Sequence, residues 1–438
     1  MSESLACVGP RYMLEFQCIG AACEDTCCRG WIISIDQKTH KRMKKAMDGS
    51  KAARARFREA IQRNRDPQAK AAEYAFLKLN AAGRCHFLRE DGLCGVHAEH
   101  GESLLSLTCK TYPRRLTRFG NRVEMSASLS CPEAARRCLL SPGANELVSL
   151  ESLLVAGREM VFANHIPNPN ASTATRYRDV VRELSLALLD SAGFPLESRL
   201  FFVCFLAHRM AALGDAPGDA QRVIEIVELL SGRESLQTLH EQFQAISPSV
   251  ELPLSIVQTL LLNREAEREL WVADVIVEVW RSLGGSDEPS ARLRVSQDQG
   301  TISVDGSSLL KAYLQRKNRA TERFGEQLEL ILGNYCKNYW IGEGPETAPD
   351  PLSHFRRLSV RLGVLKFLLL GHPRMLELLE SDASPDSLST ALSEHAVRIV
   401  TRFCRSIEHN EGFLEHIEQN LIEQGFTDMA HLSLMLKL

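Results

Sequence analysis

The residues of this chain best suited to chemistry are its cysteines, which are numerous and unevenly distributed. The sequence has 13 cysteines in 438 residues. Those before residue 140 are Cys7, Cys18, Cys23, Cys27, Cys28, Cys85, Cys94, Cys109, Cys131 and Cys138. The others, Cys204, Cys336 and Cys404, fall in apolar helical patterns and are predicted to be core residues. The chain is therefore chemically divided in two.

The spacing of the early cysteines is typical of metal ligands. The pattern is Cys18-x4-Cys23-x3-Cys27-Cys28, then Cys85-x8-Cys94, Cys109 and Cys131. Soft sulfur ligands select zinc or iron–sulfur clusters, and four thiolates saturate either a zinc ion or a cube cluster. These eight cysteines therefore predict two sites, or one site plus buried thiols, and isolated redox-active thiols are the remaining alternative.

Spacing alone does not choose between the metals. We favour a 4Fe–4S cluster, with zinc as the alternative. The first-ranked ligands are Cys23, Cys27, Cys28 and Cys109. His97-x2-His100 could add nitrogen ligands, but an exposed histidine pair is the preferred interpretation.

Three residues beside the cysteines are candidates for cofactor binding. Trp31 follows the double cysteine and could stack on a cofactor, with a core aromatic as the alternative. Tyr112 and Arg114 flank Pro113, and Arg114 could pair with a carboxylate. A purely structural turn explains the same segment equally well.

Several nucleotide-site fingerprints do not occur. The Cys-x3-Cys-x2-Cys motif of radical S-adenosylmethionine enzymes fails, because Gly30 stands where the third cysteine would be. No glycine run follows a strand as in a Rossmann or P-loop turn. A standard Rossmann-type methyltransferase core is therefore not expected.

Charge is concentrated in one short segment. Residues 38–65 hold eleven lysines and arginines against Asp48 and Glu59, a net charge of +9 in a chain whose total is −3. A solvated helix face is one interpretation, and a surface for an acidic protein or an anion is the other. Nucleic-acid binding is not expected, because Phe57 is the segment's only aromatic residue.

The elements around these residues predict a mainly α fold. A cysteine-rich, largely irregular module with little β is expected over residues 1–140, packed on a large α-helical domain over 141–438. Strands are predicted at 31–35 and 122–130, a short helix at 69–79, and a small hairpin near 297–300, and Asp36 is predicted to cap a lysine-rich helix that follows the first strand. The apolar periodicity predicts helices at 147–162, 173–190, 196–213, 219–230, 253–283, 307–336, 353–370, 385–407 and 412–425.

Location follows from two features of the sequence. The N-terminus has no basic segment followed by an apolar one, so no secretion signal is expected. The longest apolar stretch, around 362–370, is interrupted by Lys366 and is too short to span a bilayer. We expect a cytoplasmic protein without a membrane partner.

Taken together, the cysteine blocks resemble the flagellin lysine-N-methylase family. The resemblance rests on the segment from Cys18 to Trp31, on Cys85-His-Phe-Leu and Gly92-Leu-Cys94, on Thr108-Cys109-x2-Tyr112-Pro113-Arg114 and on Ser130-Cys131-Pro132. The cysteine part is also similar to YkgJ-type zinc- or iron-chelating domains, whose first cysteine spacing is usually shorter. The resemblance implies methyl transfer from S-adenosylmethionine to lysine side chains of flagellin, in the cytoplasm before export.

Methyl transfer to lysine requires a neutral amine, and two other functions remain as alternatives. Lysine is almost wholly protonated at neutral pH, so a site must desolvate its amine or offer a base. A cluster with an open coordination position could anchor the methionine part of the cofactor. The alternatives are a metal-stabilised adaptor or chaperone for an export substrate, and an iron–sulfur electron carrier.

Overall fold

The predicted mainly α fold is confirmed by the computed structural model. The structure describes residues 6–119, 122–150, 163–165, 177–214, 216, 218–247, 272–285, 304–407, 411–423, 425 and 427–437. It forms two compact units. The first unit comprises Met1–Ala134 and Val148–His165, and the second comprises Ala135–Leu147 and Ile166–Leu438.

The first unit carries short helices. They are α1 (Tyr12–Glu15), α2 (Gln37–Ala46), α3 (Lys51–Ala60), α4 (Gly95–His100) and α5 (Leu107–Thr111), and α6 (Pro132–Leu139) follows them in the chain. Short 3-10 turns lie at Gly20–Ala22, Ala71–Glu73 and Glu102–Leu104.

Longer helices make up the second unit. They are α7 (Arg178–Leu189), α8 (Leu196–Ala211), α9 (Asp219–Ser231), α10 (Arg233–Ala245), α11 (Val272–Ser282), α12 (Val304–Gly342), α13 (Pro351–Gly371), α14 (Pro373–Glu380), α15 (Pro385–Ile407), α16 (Glu411–Glu423) and α17 (Met429–Leu436). A 3-10 turn lies at Pro345–Thr347.

The strands form two small sheets. They are β1 (Ala6–Pro10), β2 (Ile33–Ile35), β3 (Ile61–Arg63), β4 (Ala75–Leu77), β5 (Arg114–Phe119), β6 (Arg122–Ala127), β7 (Leu147–Ser149) and β8 (Ala163–His165). One sheet has the order β7-β1-β6-β5-β8, and the other has the order β2-β4-β3 with antiparallel neighbours. In the larger sheet β5 and β6 are antiparallel, whereas β1 runs parallel to β6.

The three-stranded sheet carries an apolar core in the first unit. Ile35 of β2 is fully buried there, and Met43 of α2 and Phe57 of α3 pack against the same core. Both helices begin at capping side chains, since Asp36 accepts from the Thr39 amide at 2.9 Å and Ser50 accepts from the Ala53 amide at 3.0 Å. The predicted Asp36 cap is thus confirmed.

The core of the second unit is centred on α8 and α13. Helix α8 packs against α7, α10, α13 and α17, and α13 also packs against α12, α15 and α16. Helix α12 has one non-helical residue, Phe324, where the helix is kinked. Cys204, Cys336 and Cys404 are all fully buried, which confirms that they are core residues.

Two local predictions were wrong. The 69–79 segment is a 3-10 turn at Ala71–Glu73 followed by β4, because Ala75 and Leu77 alternate with half-buried neighbours as in a strand. The helix expected from residue 147 begins instead as β7, in which Leu147–Ser149 pairs at the edge of the larger sheet. The rest of that helix, the hairpin near 297–300 and most of the 253–283 helix lie outside the described residues. Among the described helices, none is long and apolar enough to cross a bilayer.

Candidate metal centre

Four cysteines of the first unit surround one small cavity. Cys28, Cys85, Cys94 and Cys109 line a cavity of about 30 Å³ whose other walls are mainly apolar. The apolar walls include Trp31, Ile35 and Phe87. We call this group the cavity thiols. Soft ligands in a dry pocket of this kind suit a thiophilic metal.

Backbone pairing brings two of the cavity thiols together from distant parts of the chain. The amide of Cys85 donates to the carbonyl of Cys28 at 2.8 Å. Cys85 also bridges to Leu79, two residues beyond β4, so the pair lies beside the three-stranded sheet. Pairing through the main chain fixes both thiols independently of any metal.

The other two cavity thiols are placed by helix starts. Cys94 is the N-cap residue of α4, and a bridge to Leu88 holds its backbone. Cys109 lies in α5, where its amide donates to the Ser106 hydroxyl at 3.2 Å. Helix α5 packs against β2, which directs it toward the same core.

Cys94 has the thiol most readily ionised in this group. A hydrogen bond from the Cys28 thiol, together with the amides of His97 and Val96, lowers the pKa of Cys94 to about 6 against the opposing effect of burial. The pKa of Cys28 is correspondingly raised by its hydrogen bonds to Cys27 and Cys94. Cys94 is therefore the cavity thiol most easily converted to the thiolate, the form in which cysteine binds metals.

The remaining thiols of the cavity are kept neutral by burial. Desolvation raises the pKa of Cys85, and it raises the pKa of Cys109 to about 12. Charges on Cys94 and Cys27 act on both groups in the same direction. A bound cation would reverse this effect, because a coordinating metal deprotonates its thiol ligands.

A second group of thiols lies apart from the cavity. Desolvation raises the pKa of Cys131 to about 11, and Cys23 and Cys18 are the thiols whose charges act on it. Cys18 is exposed, while Cys23 and Cys131 are half-buried. The Cys23 thiol donates to the Asp25 carbonyl at 3.0 Å. The eight predicted ligands thus divide into the cavity thiols with Cys27, and the group of Cys18, Cys23 and Cys131.

Neither group is arranged for a single metal ion. Within the part of the chain that the structure describes, no three His, Cys, Asp or Glu side chains form a site able to hold one ion. His97 is exposed, and its imidazole acts on the site by lowering the pKa of Cys94.

Two of the three predicted cofactor-binding residues come together beside the cavity. The Trp31 indole nitrogen donates to the Cys27 carbonyl at 2.7 Å, and the Trp31 and Tyr112 rings are 5.4 Å apart between centroids. The Tyr112 hydroxyl lies 3.1 Å from that of Ser130. The Arg114 guanidinium instead lies over the Phe16 ring, 5.1 Å from its centroid.

Cys94 holds a different place in the sequence ranking of ligands than in the structure. It was not among the four first-ranked ligands, yet the structure places it in hydrogen-bond contact with Cys28. The signal available in the sequence was its position, since Gly92 and Gly95 around it favour a turn that leads into a helix.

The fold and the thiol site together define a class of protein, a mainly helical chain whose smaller unit carries a multi-thiol site. The family model of the FliB lysine N-methylase C-terminal domain matches residues 182–435, which is more than half of the sequence. The chain belongs to the FliB lysine N-methylase family. The resemblance seen in the cysteine blocks is thereby confirmed.

Curated relatives extend the similarity to most of the chain. A lysine-N-methylase of Salmonella choleraesuis (strain SC-B67) is 28% identical over 417 residues, covering 91% of this chain and 94% of the relative. A lysine-N-methylase of Salmonella typhimurium is 28% identical over 71% of this chain and 74% of the relative. The flagellar biosynthetic protein FliU of Salmonella muenchen is 34% identical over 32% of this chain and 79% of the relative. No solved structure matches the chain.

Proposed function

We propose that this protein transfers methyl groups from S-adenosylmethionine to lysine side chains of flagellin in the cytoplasm, and that an iron–sulfur cluster held by the cavity thiols is required. The observation that carries the proposal is membership of the FliB lysine N-methylase family. The names of relatives from Salmonella, lysine-N-methylase and flagellar biosynthetic protein, support the reaction and the flagellar substrate.

The donor set around the cavity consists of thiols alone, and we propose that it holds a cluster rather than zinc. Four thiolates around one zinc ion lie about 3.8 Å from each other, as tetrahedral Zn–S bonds of ~2.3 Å require. No described group of three candidate ligands meets the needs of one ion, whereas the cavity thiols enclose a common space. A cube cluster takes one thiolate per iron, so its ligands stand farther apart. In the structure the Cys28 and Cys94 thiols are in hydrogen-bond contact around a cavity of about 30 Å³, so the cavity thiols would have to move apart to hold a cube.

Cys94 would be the first thiol to bind. Its lowered pKa gives a thiolate without the loss of a proton at neutral pH, and the apolar walls of the cavity exclude competing water. Cys28 is held next to it by the main-chain bond to Cys85. If only three of the four cavity thiols held the cube, its fourth iron would be free to anchor the methionine part of S-adenosylmethionine.

The aromatic pair beside the cavity would orient the cofactor. Trp31 and Tyr112 present two ring faces at a centroid distance of 5.4 Å, and such faces favour contact with an adenine ring or a sulfonium cation. Their low polarity also favours the neutral amine of an incoming lysine, which is the form that attacks a methyl group. Arg114 lies over the Phe16 ring, and its guanidinium could pair with the cofactor carboxylate through its N–H groups.

Methyl transfer to flagellin tests the proposal directly. Protein purified without oxygen is incubated with flagellin and S-adenosylmethionine labelled in the methyl group, and label on flagellin lysines is measured by mass spectrometry. We expect methyl-lysine, and its loss after the iron is removed with a chelator. Flagellin that binds but carries no label would contradict the proposal and indicate an adaptor, and transfer that persists without iron would contradict the role of the cluster.

A further inference from the structure

One helix beside the cavity thiols has an exposed surface that carries only positive charges. Helix α2 contains Lys38, Lys41, Lys44 and Lys45, all exposed, and it contains no acidic residue. We call these four residues the lysine face. Lys38, Lys41 and Lys45 follow each other at intervals of three and four residues, so they form one stripe along the helix.

The opposite side of the same helix contacts the candidate site. Met43 is buried and lines the cavity with the cavity thiols. An α-helix with its side chains is roughly 10 Å wide, so the lysine face lies about that distance from the cavity. A polypeptide bound to the lysine face would therefore lie next to the proposed reaction site.

The charges of Lys41, Lys44 and Lys45 are not neutralised by carboxylates of the described residues nearby. Asp36 caps α2 through the Thr39 amide, and Asp48 lies 3.5 Å from Arg54. Lys41, Lys44 and Lys45 have no carboxylate partner among the residues that the structure describes. Like charges at these spacings destabilise an isolated helix. If the surface only had to be soluble, alternating lysine and glutamate would do so without this repulsion between like charges.

The net charge of the rest of the chain is opposite in sign to that of this segment. Segment 38–65 has a net charge of +9 in a chain with a total of −3, so all other residues together carry −12. An acidic partner would be attracted to the lysine face and repelled elsewhere, which favours a single orientation.

We infer that the lysine face docks an acidic segment of the polypeptide substrate beside the cavity thiols; this inference rests on the proposed function. Docking of this kind sets the encounter rate and the register, while the reaction itself depends on other residues. Nucleic acid fits this surface less well, because its nearest aromatic rings are not available for stacking. Phe57 and Tyr74 both lie against His40, at 5.4 Å and 5.1 Å.

Charge reversal with a matched control tests the inference. The double variant Lys41→Glu/Lys45→Glu reverses the centre of the lysine face, and Lys70→Glu/Lys311→Glu makes the same change in net charge at two exposed lysines elsewhere. For the first variant we expect the KM for flagellin to rise about tenfold at low salt, with kcat and the KM for S-adenosylmethionine unchanged. The difference in the KM for flagellin between this variant and wild type should shrink near ~0.5 M salt, where screening is strong. The control should behave as wild type.

A binding assay separates this inference from the proposed function. Affinity for labelled flagellin is measured without S-adenosylmethionine, so that its result does not depend on methyl transfer. If no protein transfers methyl groups but Lys41→Glu/Lys45→Glu alone loses binding, the proposed function fails and the docking surface stands. Equal effects in both variants, or none in either, would overturn the inference. So would binding of a DNA or RNA oligonucleotide at physiological salt that competes with flagellin.

Discussion

At the scale of single residues, the candidate site depends on Cys94 and on the turn that carries it. The N-terminal amides of α4 stabilise a negative sulfur, and the Cys28 thiol donates to it. These two effects outweigh burial, which keeps the other cavity thiols protonated. If the proposed metal binds here, Cys94 would offer the most acidic thiol, and the metal would have to displace the protons of the other cavity thiols.

The site could be predicted from the sequence only in part. The residue types and their metal-ligand chemistry follow from spacing, but the spacing joins Cys18, Cys23, Cys27 and Cys28 in one motif. In the structure the motif divides between Cys23 and Cys27, since Cys18 and Cys23 act on Cys131 whereas Cys28 lines the cavity. Its last cysteine is then held by the main chain of Cys85, a long-range pairing that spacing cannot reveal.

Trp31 gives a prediction at this scale. Replacing Trp31 with Ala should raise the KM for S-adenosylmethionine about tenfold, because a ring face against the cofactor contributes on the order of 1–3 kcal/mol. The iron content should be unchanged, since the indole is not a ligand. Trp280, a buried residue of α11, provides the control through Trp280→Phe. Loss of iron from Trp31→Ala would show that the ring protects the metal site instead.

At the scale of elements, the second unit contains a polar junction formed by side chains and carbonyls from several helices. Glu197 of α8 lies 2.9 Å from Lys366 of α13 and 2.9 Å from Lys317 of α12. The two lysines also donate to the carbonyls of Leu436 and Lys437, at 3.2 Å and 2.7 Å. The junction thus joins three core helices to the end of α17.

The junction should make stability depend on pH. Burial alone would raise the pKa of Glu197, but Lys366 and Lys317 together lower it to about 2. A carboxylate with a lowered folded-state pKa contributes stability above its unfolded value of ~4.3, and loses it as the pH falls toward the folded value. Glu197→Gln should lower the free energy of unfolding in urea by about 2 kcal/mol at pH 7, less than for a fully buried pair because part of the side chain is exposed.

The matched control is an exposed ion pair of the same unit. Glu377 lies 2.7 Å from Arg374 and both side chains are exposed, so Glu377→Gln should cost well under ~1 kcal/mol. The difference between wild type and Glu197→Gln should narrow between about pH 5 and pH 2. Equal losses in the two variants, or a pH-independent difference, would contradict the role given to the junction.

Element prediction succeeded where local signals dominate. The Asp36 cap and the long apolar periodicities gave α2, α8 and α13 correctly, since caps and helical faces are properties of short segments. It failed at β4 and β7, because each is only three residues long and depends on its sheet neighbours.

At the scale of the whole molecule, the two units have different properties. The first unit holds the cavity thiols and the lysine face on a small core, whereas the second unit holds the 182–435 match to the lysine N-methylase family. Composition could predict this chemical division, because the cysteines before residue 140 outnumber those after it. It could not predict the substrate, which comes from the family alone.

The most direct test of the central claim is iron and sulfide content measured together with methyl transfer, on anaerobic Cys94→Ala and Cys18→Ala proteins beside wild type. The account predicts about four irons and four sulfides in wild type and in Cys18→Ala, with flagellin methylated by both. Cys94→Ala should lose most of its iron and its activity. Iron retained by Cys94→Ala but lost from Cys18→Ala would contradict the account and assign the metal to the second thiol group, and zinc in place of iron would contradict the cluster itself.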